Sequence, residues 1–188
     1  MKYADGKKKL DAARKKITAL RDEMRDMTKS MEPEEVEDYE LEAGGGKVKL
    51  SDLFAGKDDL IVIHNMGTSC AACTMWADGF NGLLDHLQAR AAFAVVSPDP
   101  PAVQKQFAAG RGWKFPMASH MGGAFAKDMG YGRDGRWQPG VSAFRKVDGK
   151  VVRVSDAALG PYDDFNAAWH MFDLFPEGKG EWRPKFKY

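Results

Sequence analysis

Apolar residues near the start of the chain recur at strictly alternating intervals of three and four positions, with charged residues between them. This is heptad spacing, and it predicts one long helix with an apolar stripe along one side. At about 1.5 Å per residue, such a helix forms a rod of about 30 to 38 Å. We expect an arm that either packs on its own domain or embraces a second subunit. The stripe consists of Leu10, Ala13, Ile17, Leu20, Met24, Met27 and Met31.

After Pro33 the apolar positions alternate instead, which indicates a strand, a turn at the glycines 44–46 and a second strand. Ser51 is interpreted as the cap of a single helical turn that ends before Gly56. Residues 60–64, LIVIH, form a β-branched run that is apolar on both faces. This pattern is typical of the central strand of a sheet that is covered on both sides.

Helical spacing follows from Cys70 to Arg90, and residues 92–96, AFAVV, predict the next strand. Strand, helix and strand in this order predict a parallel unit. Asp99, followed by two prolines, is interpreted as the cap of a short helix that ends near Gly110.

The last part of the domain contains a hairpin signal and one more helical segment. Asp148 and Gly149 lie between two apolar runs, at 141–145 and 150–154, and predict an antiparallel hairpin. Residues 165–174 predict a closing helix, and residues 176–188 a polar tail anchored by its aromatic side chains.

The chain has 188 residues, 44% of them hydrophobic, which is enough for one core and excludes a mostly disordered chain. We predict a helical arm at 1–32, an α/β domain at 33–175 and a C-terminal tail at 176–188. The net charge of +1 provides no field to hold nucleic acid or an acidic membrane. No apolar run approaches the length of a membrane span or signal peptide, so we expect a cytoplasmic protein.

Charge is distributed unevenly between the arm and the segment after it. Residues 2–25 carry nine basic and four acidic side chains, whereas residues 32–42 carry seven acidic side chains and no basic one. These opposite charges could set the position of the arm against the body or a partner, although a solvated face is the default interpretation.

Cys70 and Cys73 are the two cysteines of the chain, and two alanines separate them. A bridge across so short a loop would stabilise a fold little, and a reducing cytoplasm disfavours structural disulfides. Three interpretations of the pair remain: redox chemistry, half of a metal site, or two inert buried thiols. Zinc needs four ligands and the histidines supply no second ligand pair, so we favour redox chemistry and predict no metal or cofactor.

Cys70 lies at the predicted start of a helix, and this position determines the reactivity of its thiol. A thiol at a helix N-terminus has its pKa lowered from about 8.5 into the range of about 3.5 to 7.5. Cys70 is therefore the predicted nucleophile, and Cys73, one turn later, the residue that resolves the mixed disulfide. His64 lies six residues before Cys70 and could accept the proton of Cys73, or could be a satisfied core histidine.

Residues 130–135 match the pattern GxGxxG. No predicted strand precedes them and no predicted helix follows, so they are interpreted as a turn-rich loop and not as a nucleotide site.

The order of the elements around the cysteine pair resembles the thioredoxin fold, and His64 would occupy the position of the thioredoxin proton carrier. More closely, the chain resembles an uncharacterised bacterial branch of that superfamily, the domain-of-unknown-function family numbered 899, often labelled AhpC/TSA-like. The matching stretches, between about residues 35 and 182, are SDLF, LIVIHNM, CAACTMWADGFNG, FAVVS, GWKFP, PGVSAF and FDLFPEGKGEW.

This resemblance implies a thioredoxin-like α/β fold and a thiol-disulfide oxidoreductase that acts on protein or small-molecule disulfides. The groove beside the cysteines would include Thr68, Ser69, Trp76 and Pro139, and Pro139 would stand at the cis-proline position if the last hairpin is two residues longer than predicted. Departures from thioredoxins are Ser69 in place of Trp and two alanines in place of Gly-Pro.

Two other functions stay open. A peroxiredoxin-like peroxidase would use one low-pKa cysteine to reduce a peroxide. Its signature has Pro and Thr before that cysteine, but no proline closely precedes Cys70, and Thr68 stands two residues before it instead of three. The third candidate is a non-catalytic binding protein that retains the fold and dimerises through the arm.

Overall fold

A computed structural model describes all residues from Met1 to Tyr188. The chain divides into two compact units, residues 1–33 and residues 34–188. The first unit contains a single helix, α1 (Tyr3–Ser30), so the predicted long helix is confirmed. None of its residues is buried, and the heptad stripe is solvent-exposed. No helix of the protein has both the length and the apolar character needed to cross a membrane.

The second unit is built on a mixed eight-stranded sheet flanked by helices, together with a separate two-stranded hairpin. Across the sheet the order is β1, β10, β9, β4, β5, β6, β2, β3, and the hairpin pairs β7 with β8. The strands are β1 (Glu34–Glu35), β2 (Glu40–Ala43), β3 (Gly46–Lys49), β4 (Asp59–His64), β5 (Ala92–Ser97), β6 (Met117–Ser119), β7 (Gly132–Arg133), β8 (Arg136–Trp137), β9 (Gly140–Val147) and β10 (Lys150–Ala158).

Five helices and one short 3-10 turn complete this unit. The turn spans Leu50–Phe54, next to the hairpin of β2 and β3. The helices are α2 (Ala71–Gly82), α3 (Leu84–Arg90), α4 (Pro101–Arg111), α5 (Ala124–Asp128) and α6 (Ala167–Phe172).

Strand β4 lies in the middle of the sheet, as its apolar run predicts. It pairs in parallel with β5 and antiparallel with β9, so both of its edges are hydrogen-bonded. Because successive side chains of a strand point to opposite faces, β4 contributes side chains to two separate cores. Leu60 and Val62 pack in one core with Phe125 and Phe144, while Ile63 packs in the other.

Several boundaries differ from the sequence prediction. The helix predicted from Cys70 to Arg90 is divided at Leu83 into α2 and α3. Close to this break, the side chain of Asn81 donates to the carbonyl of Gly112 and accepts from the N–H of Lys114. Ser51 is not a helix cap, since its N–H and hydroxyl both donate to Asp38.

The other differences concern short elements. Asp99 does not cap α4, whose N-cap is Pro100 without a side-chain bond. The glycine-rich segment 130–135 is part of the β7–β8 hairpin, and β6 and α5 are too short to give a periodic signal in the sequence. The tail is anchored as predicted: Phe186 packs on Phe107, and Trp182 packs on Trp169.

Candidate active site

Cys70 is the N-cap residue of α2, as the sequence predicts. The backbone N–H of Cys73 donates a hydrogen bond to Cys70 Sγ over 3.0 Å, so the sulfur fills the place of a capping oxygen. The backbone N–H and the hydroxyl of Thr74 both donate to the carbonyl of Cys70, each over 3.0 Å. Both cysteines are free thiols, and together they form a dithiol within one helical turn.

The two sulfurs differ in exposure and in charge. Cys70 is partly exposed, and its pKa is lowered to about 7 by the hydrogen bond from the Cys73 thiol and by the backbone N–H groups of Cys73 and Ala72, against the effect of burial. Cys73 is buried, and its pKa is raised by the Cys70 side chain and by burial. At neutral pH Cys70 is therefore about half thiolate, whereas Cys73 keeps its proton.

The loop between β4 and Cys70 is held by one carboxamide and one carboxylate side chain. Asn65 Oδ1 accepts from the backbone N–H of Gly67 over 2.8 Å, and Asp99 Oδ2 accepts from that of Thr68 over 2.6 Å. Gly67 has φ +103°, a conformation that favours glycine. Asp99 thus fixes the segment that leads into the nucleophile, a role that the sequence analysis missed because the following prolines suggested a helix cap.

His64 lies at the end of β4 with its ring buried in the core of Leu60 and Val62. Its Nε2 is 2.9 Å from the hydroxyl oxygen of Ser142, and its Nδ1 has no hydrogen-bond partner. The ring stacks on Tyr131, with ring centroids 4.1 Å apart. Burial lowers the pKa of His64 to about 3, with smaller contributions from the charges of His120 and Arg153.

The structure therefore does not bring His64 to the cysteines. The side chain of Ile63 packs in the core that contains Cys70 and Cys73, and the alternation along β4 places His64 on the opposite face of the sheet. A role for His64 in proton transfer remains a prediction.

The four predicted groove residues do not share one groove. Thr68 lines a cavity of about 630 Å³ with Phe107 and Phe186. Pro139 lines a different cavity, of about 640 Å³. Ser69 is exposed, and Trp76 is buried beside Cys73 with its indole N–H unpaired.

Pro139 directly precedes β9, so the last hairpin is longer than predicted, and the peptide bond before Pro139 is trans. No three side chains of the types that bind metals converge on one point in the structure.

Comparison with known proteins identifies the family. The profile of the family described as "Bacterial protein of unknown function (DUF899)" matches residues 1–188. The chain belongs to this family. The resemblance drawn from the sequence is confirmed, and no curated protein matches the chain.

Solved structures with a similar fold include peroxiredoxins. Reduced Prx3 from Vibrio vulnificus is 19% identical, with a TM-score of 0.59 over 73% of this chain and 93% of that one. A PrxQ mutant from Xylella fastidiosa is 15% identical, with a TM-score of 0.58 over 76% and 91%. Peroxidoxin BcpB from Mycobacterium tuberculosis is 24% identical, with a TM-score of 0.55 over 67% and 84%. These matches confirm the predicted thioredoxin-like fold.

Proposed function

We propose that this protein is a thiol-disulfide oxidoreductase in which Cys70 is the nucleophile and Cys73 the resolving thiol. The observation that carries the proposal is the hydrogen bond from the Cys73 N–H to Cys70 Sγ at the start of α2. It stabilises a thiolate on the more exposed of the two sulfurs, and a thiolate is the form that attacks disulfides.

In the first step the Cys70 thiolate attacks one sulfur of a substrate disulfide. A bond forms between Cys70 Sγ and that sulfur, the substrate S–S bond breaks, and the other substrate sulfur leaves as a thiolate. The negative charge on Cys70 is lost at the same moment. The product is a mixed disulfide between Cys70 and half of the substrate.

The loss of that charge prepares Cys73 for the second step. The pKa of Cys73 is raised mainly by its hydrogen bond to the charged Cys70 side chain, while the backbone N–H of Met66 acts to lower it. When Cys70 is neutral in the mixed disulfide, the main cause of the raised pKa is gone and Cys73 loses its proton more easily. Its sulfur then attacks Cys70 Sγ and expels the second substrate thiolate.

The two leaving thiolates take up protons, so the net reaction converts one substrate disulfide into two thiols and the protein dithiol into a disulfide. A two-electron thiol reductant is needed to restore the dithiol.

The proposal is tested with the reduced full-length protein and bis(2-hydroxyethyl) disulfide. Cys73→Ser is expected to accumulate the mixed disulfide, seen as an added mercaptoethanol half in the intact mass. Cys70→Ser is expected to accumulate none. Equal labelling of both variants, or no labelling of Cys73→Ser, would overturn the assignment of Cys70 as nucleophile.

A peroxidase is the second candidate, favoured by the likeness of the fold to peroxiredoxins. Cys70 would attack one peroxide oxygen, giving a sulfenic acid and an alcohol or water, and Cys73 would then form the disulfide and release water. Stopped-flow mixing of the reduced protein with hydrogen peroxide distinguishes the two, with Trp76 beside Cys73 as the fluorescent reporter. A fast signal with peroxide and none with the disulfide favours the peroxidase.

The non-catalytic binding protein is tested by the same preparations. Iodoacetamide is expected to alkylate Cys70 of the native protein. If neither thiol reacts until the protein is denatured, the fold serves binding and not exchange.

A further inference from the structure

The glycine-rich segment that resembles a nucleotide motif places two arginines side by side. Residues Asp134 and Gly135, with φ of +52° and +70°, form the turn between β7 and β8. Arg133 and Arg136 are directly opposite each other in the register of this hairpin. Opposite residues in an antiparallel pair share one face, and like charges in that position repel each other.

No carboxylate of the protein forms an ion pair with either of these arginines. Neither guanidinium forms a hydrogen bond or ion pair with another residue, although most arginines of the second unit are paired with Asp or Glu. Asp134 lies in the turn between them but forms no ion pair with either one. A bound anion would satisfy both guanidinium groups, since their donors fit a carboxylate in a bidentate arrangement.

The two arginines border a cavity of about 640 Å³ whose walls also include Tyr131, Pro139 and Leu159. That volume is typical of a site for a small molecule. The walls combine apolar surface with Gln138, the carboxylate of Asp134 and the two arginines. Two cations against one carboxylate leave a net positive lining, which suits a ligand with a short apolar chain and an acidic end.

The cavity lies at the same end of the sheet as the dithiol. Gly140, next to Pro139, pairs with His64 at the end of β4, and the loop to Cys70 begins there. Leu159 donates its N–H to the carbonyl of Pro139 over 3.0 Å, and its side chain packs in the core that contains Cys73. Leu159 is thus a wall shared by the cavity and the surroundings of the dithiol.

We propose that this cavity binds the carboxylate of an anionic small-molecule disulfide, with Arg133 and Arg136 as the anchors, and so selects the substrate of the dithiol. The assignment rests on the proposed thiol-disulfide exchange. The electrons follow the same course, from the Cys70 and Cys73 dithiol into the substrate S–S bond, and the arginines take no part in bond formation.

The test compares three disulfides of similar size and different charge: 3,3′-dithiodipropionate, bis(2-hydroxyethyl) disulfide and cystamine. The rate constant of the reduced protein with each is divided by that of free dithiothreitol, which removes differences in intrinsic reactivity. We expect the normalised rate with dithiodipropionate to exceed that with the neutral disulfide by about tenfold, the effect of one charge-assisted hydrogen bond.

The variant is Arg133→Gln/Arg136→Gln, and Arg183→Gln on the exposed tail is the matched control. The double variant is expected to lose the preference for the anionic disulfide, so that its normalised rates with dithiodipropionate and bis(2-hydroxyethyl) disulfide become equal. The control is expected to keep both rates. An equal preference in wild type and double variant overturns the assignment of the arginines.

Suberate, the unreactive carbon analogue of dithiodipropionate, separates the two proposals. Calorimetry is expected to show binding to the wild type and to Arg183→Gln but not to the double variant. If the thiols react with no disulfide while suberate still requires the arginines, the proposed exchange fails and the anion site stands. If all three disulfides react at equal normalised rates and suberate does not bind, the exchange stands and the anion site fails.

Discussion

The ring of Tyr131 occupies the space into which a Cβ on residue 140 would project, so Gly140 is the residue that lets this ring lie on β9. The ring is fixed on its other side by stacking on His64, and its hydroxyl donates to the carbonyl of Ala157 over 3.1 Å. The ring therefore cannot move without breaking a buried contact.

Gly140→Ala is expected to destabilise the protein by about 2 to 3 kcal/mol, because the added methyl overpacks a site with no room to relax. Urea denaturation followed by circular dichroism measures the change. Gly110→Ala is the control: no atom lies within 4 Å of the added Cβ, and an alanine in α4 is expected to raise stability by about 0.5 to 1 kcal/mol. Equal midpoints for both variants would contradict the packing argument.

The sequence predicts those parts of the fold that are determined by local pattern. The heptads of α1, the apolar run of β4 and the turn at Asp148 and Gly149 each carry their own signal, and the structure confirms all three. The position of Cys70 at the start of α2 is predicted for the same reason, since the end of a buried strand and the start of helical spacing both lie nearby in the chain.

What the sequence does not predict depends on contacts between distant segments. Asp99 bonds to Thr68 across 31 positions, and Arg133 and Arg136 border the same cavity as Leu159 only after the hairpin folds onto β10. Strand alternation predicts that His64 and Ile63 lie on opposite faces of β4. It does not predict which of these faces the cysteines share, because that depends on where α2 packs.

Gly67→Ala is expected to lower stability by about 1 to 3 kcal/mol for two reasons that can be separated. Its φ of +103° strains any other residue, and an added Cβ would lie 2.8 Å from Asp99 Oδ2. Asp99→Ala in the same chain removes the second cause but not the first. A double-mutant cycle by urea denaturation is expected to show a favourable coupling energy, and strictly additive effects would exclude the contact.

Removing the thiol of Cys73 is expected to raise the pKa of Cys70 from about 7 toward its ordinary value, because that thiol is the largest cause of the lowered pKa. Cys70 reacts as a thiolate, so its alkylation by iodoacetamide increases as pH rises through its pKa. Cys73→Ala is expected to shift this midpoint to higher pH. Cys73→Ser keeps a donor and is expected to shift it less; identical midpoints in wild type and Cys73→Ala would contradict the hydrogen bond.

His64 is expected to make the fold sensitive to acid. Its pKa is about 3 in the folded protein against an ordinary 6.5, so between these values the unfolded chain binds a proton that the folded protein does not. Stability is therefore complete above about pH 6.5 and decreases as pH falls toward 3. His120, whose pKa is also lowered by burial, acts in the same direction, and Arg153 adds positive charge near His64.

His64→Gln is expected to lose less stability than wild type between about pH 7 and about pH 5, measured by urea denaturation at each pH. His86→Gln, at an exposed position, is expected to follow wild type. The iodoacetamide profile of His64→Gln also tests its predicted part in proton transfer: an unchanged midpoint and plateau remove His64 from the mechanism.

The exposed stripe of α1 predicts that two copies of the chain associate through their arms. Strict three-and-four spacing over seven positions matches a partner helix with the same stripe, and its large side chains are about half exposed, from 47% at Ile17 to 61% at Met27. The basic arm also complements the acidic segment 32–42 of a second copy. Leu20→Glu would place a charge within the stripe and is expected to give the mass of one chain by analytical ultracentrifugation. Wild type and Ala19→Glu, a change outside the stripe, are expected to give the mass of two chains. If the wild-type protein sediments as one chain at all concentrations, the predicted association through the stripe is wrong.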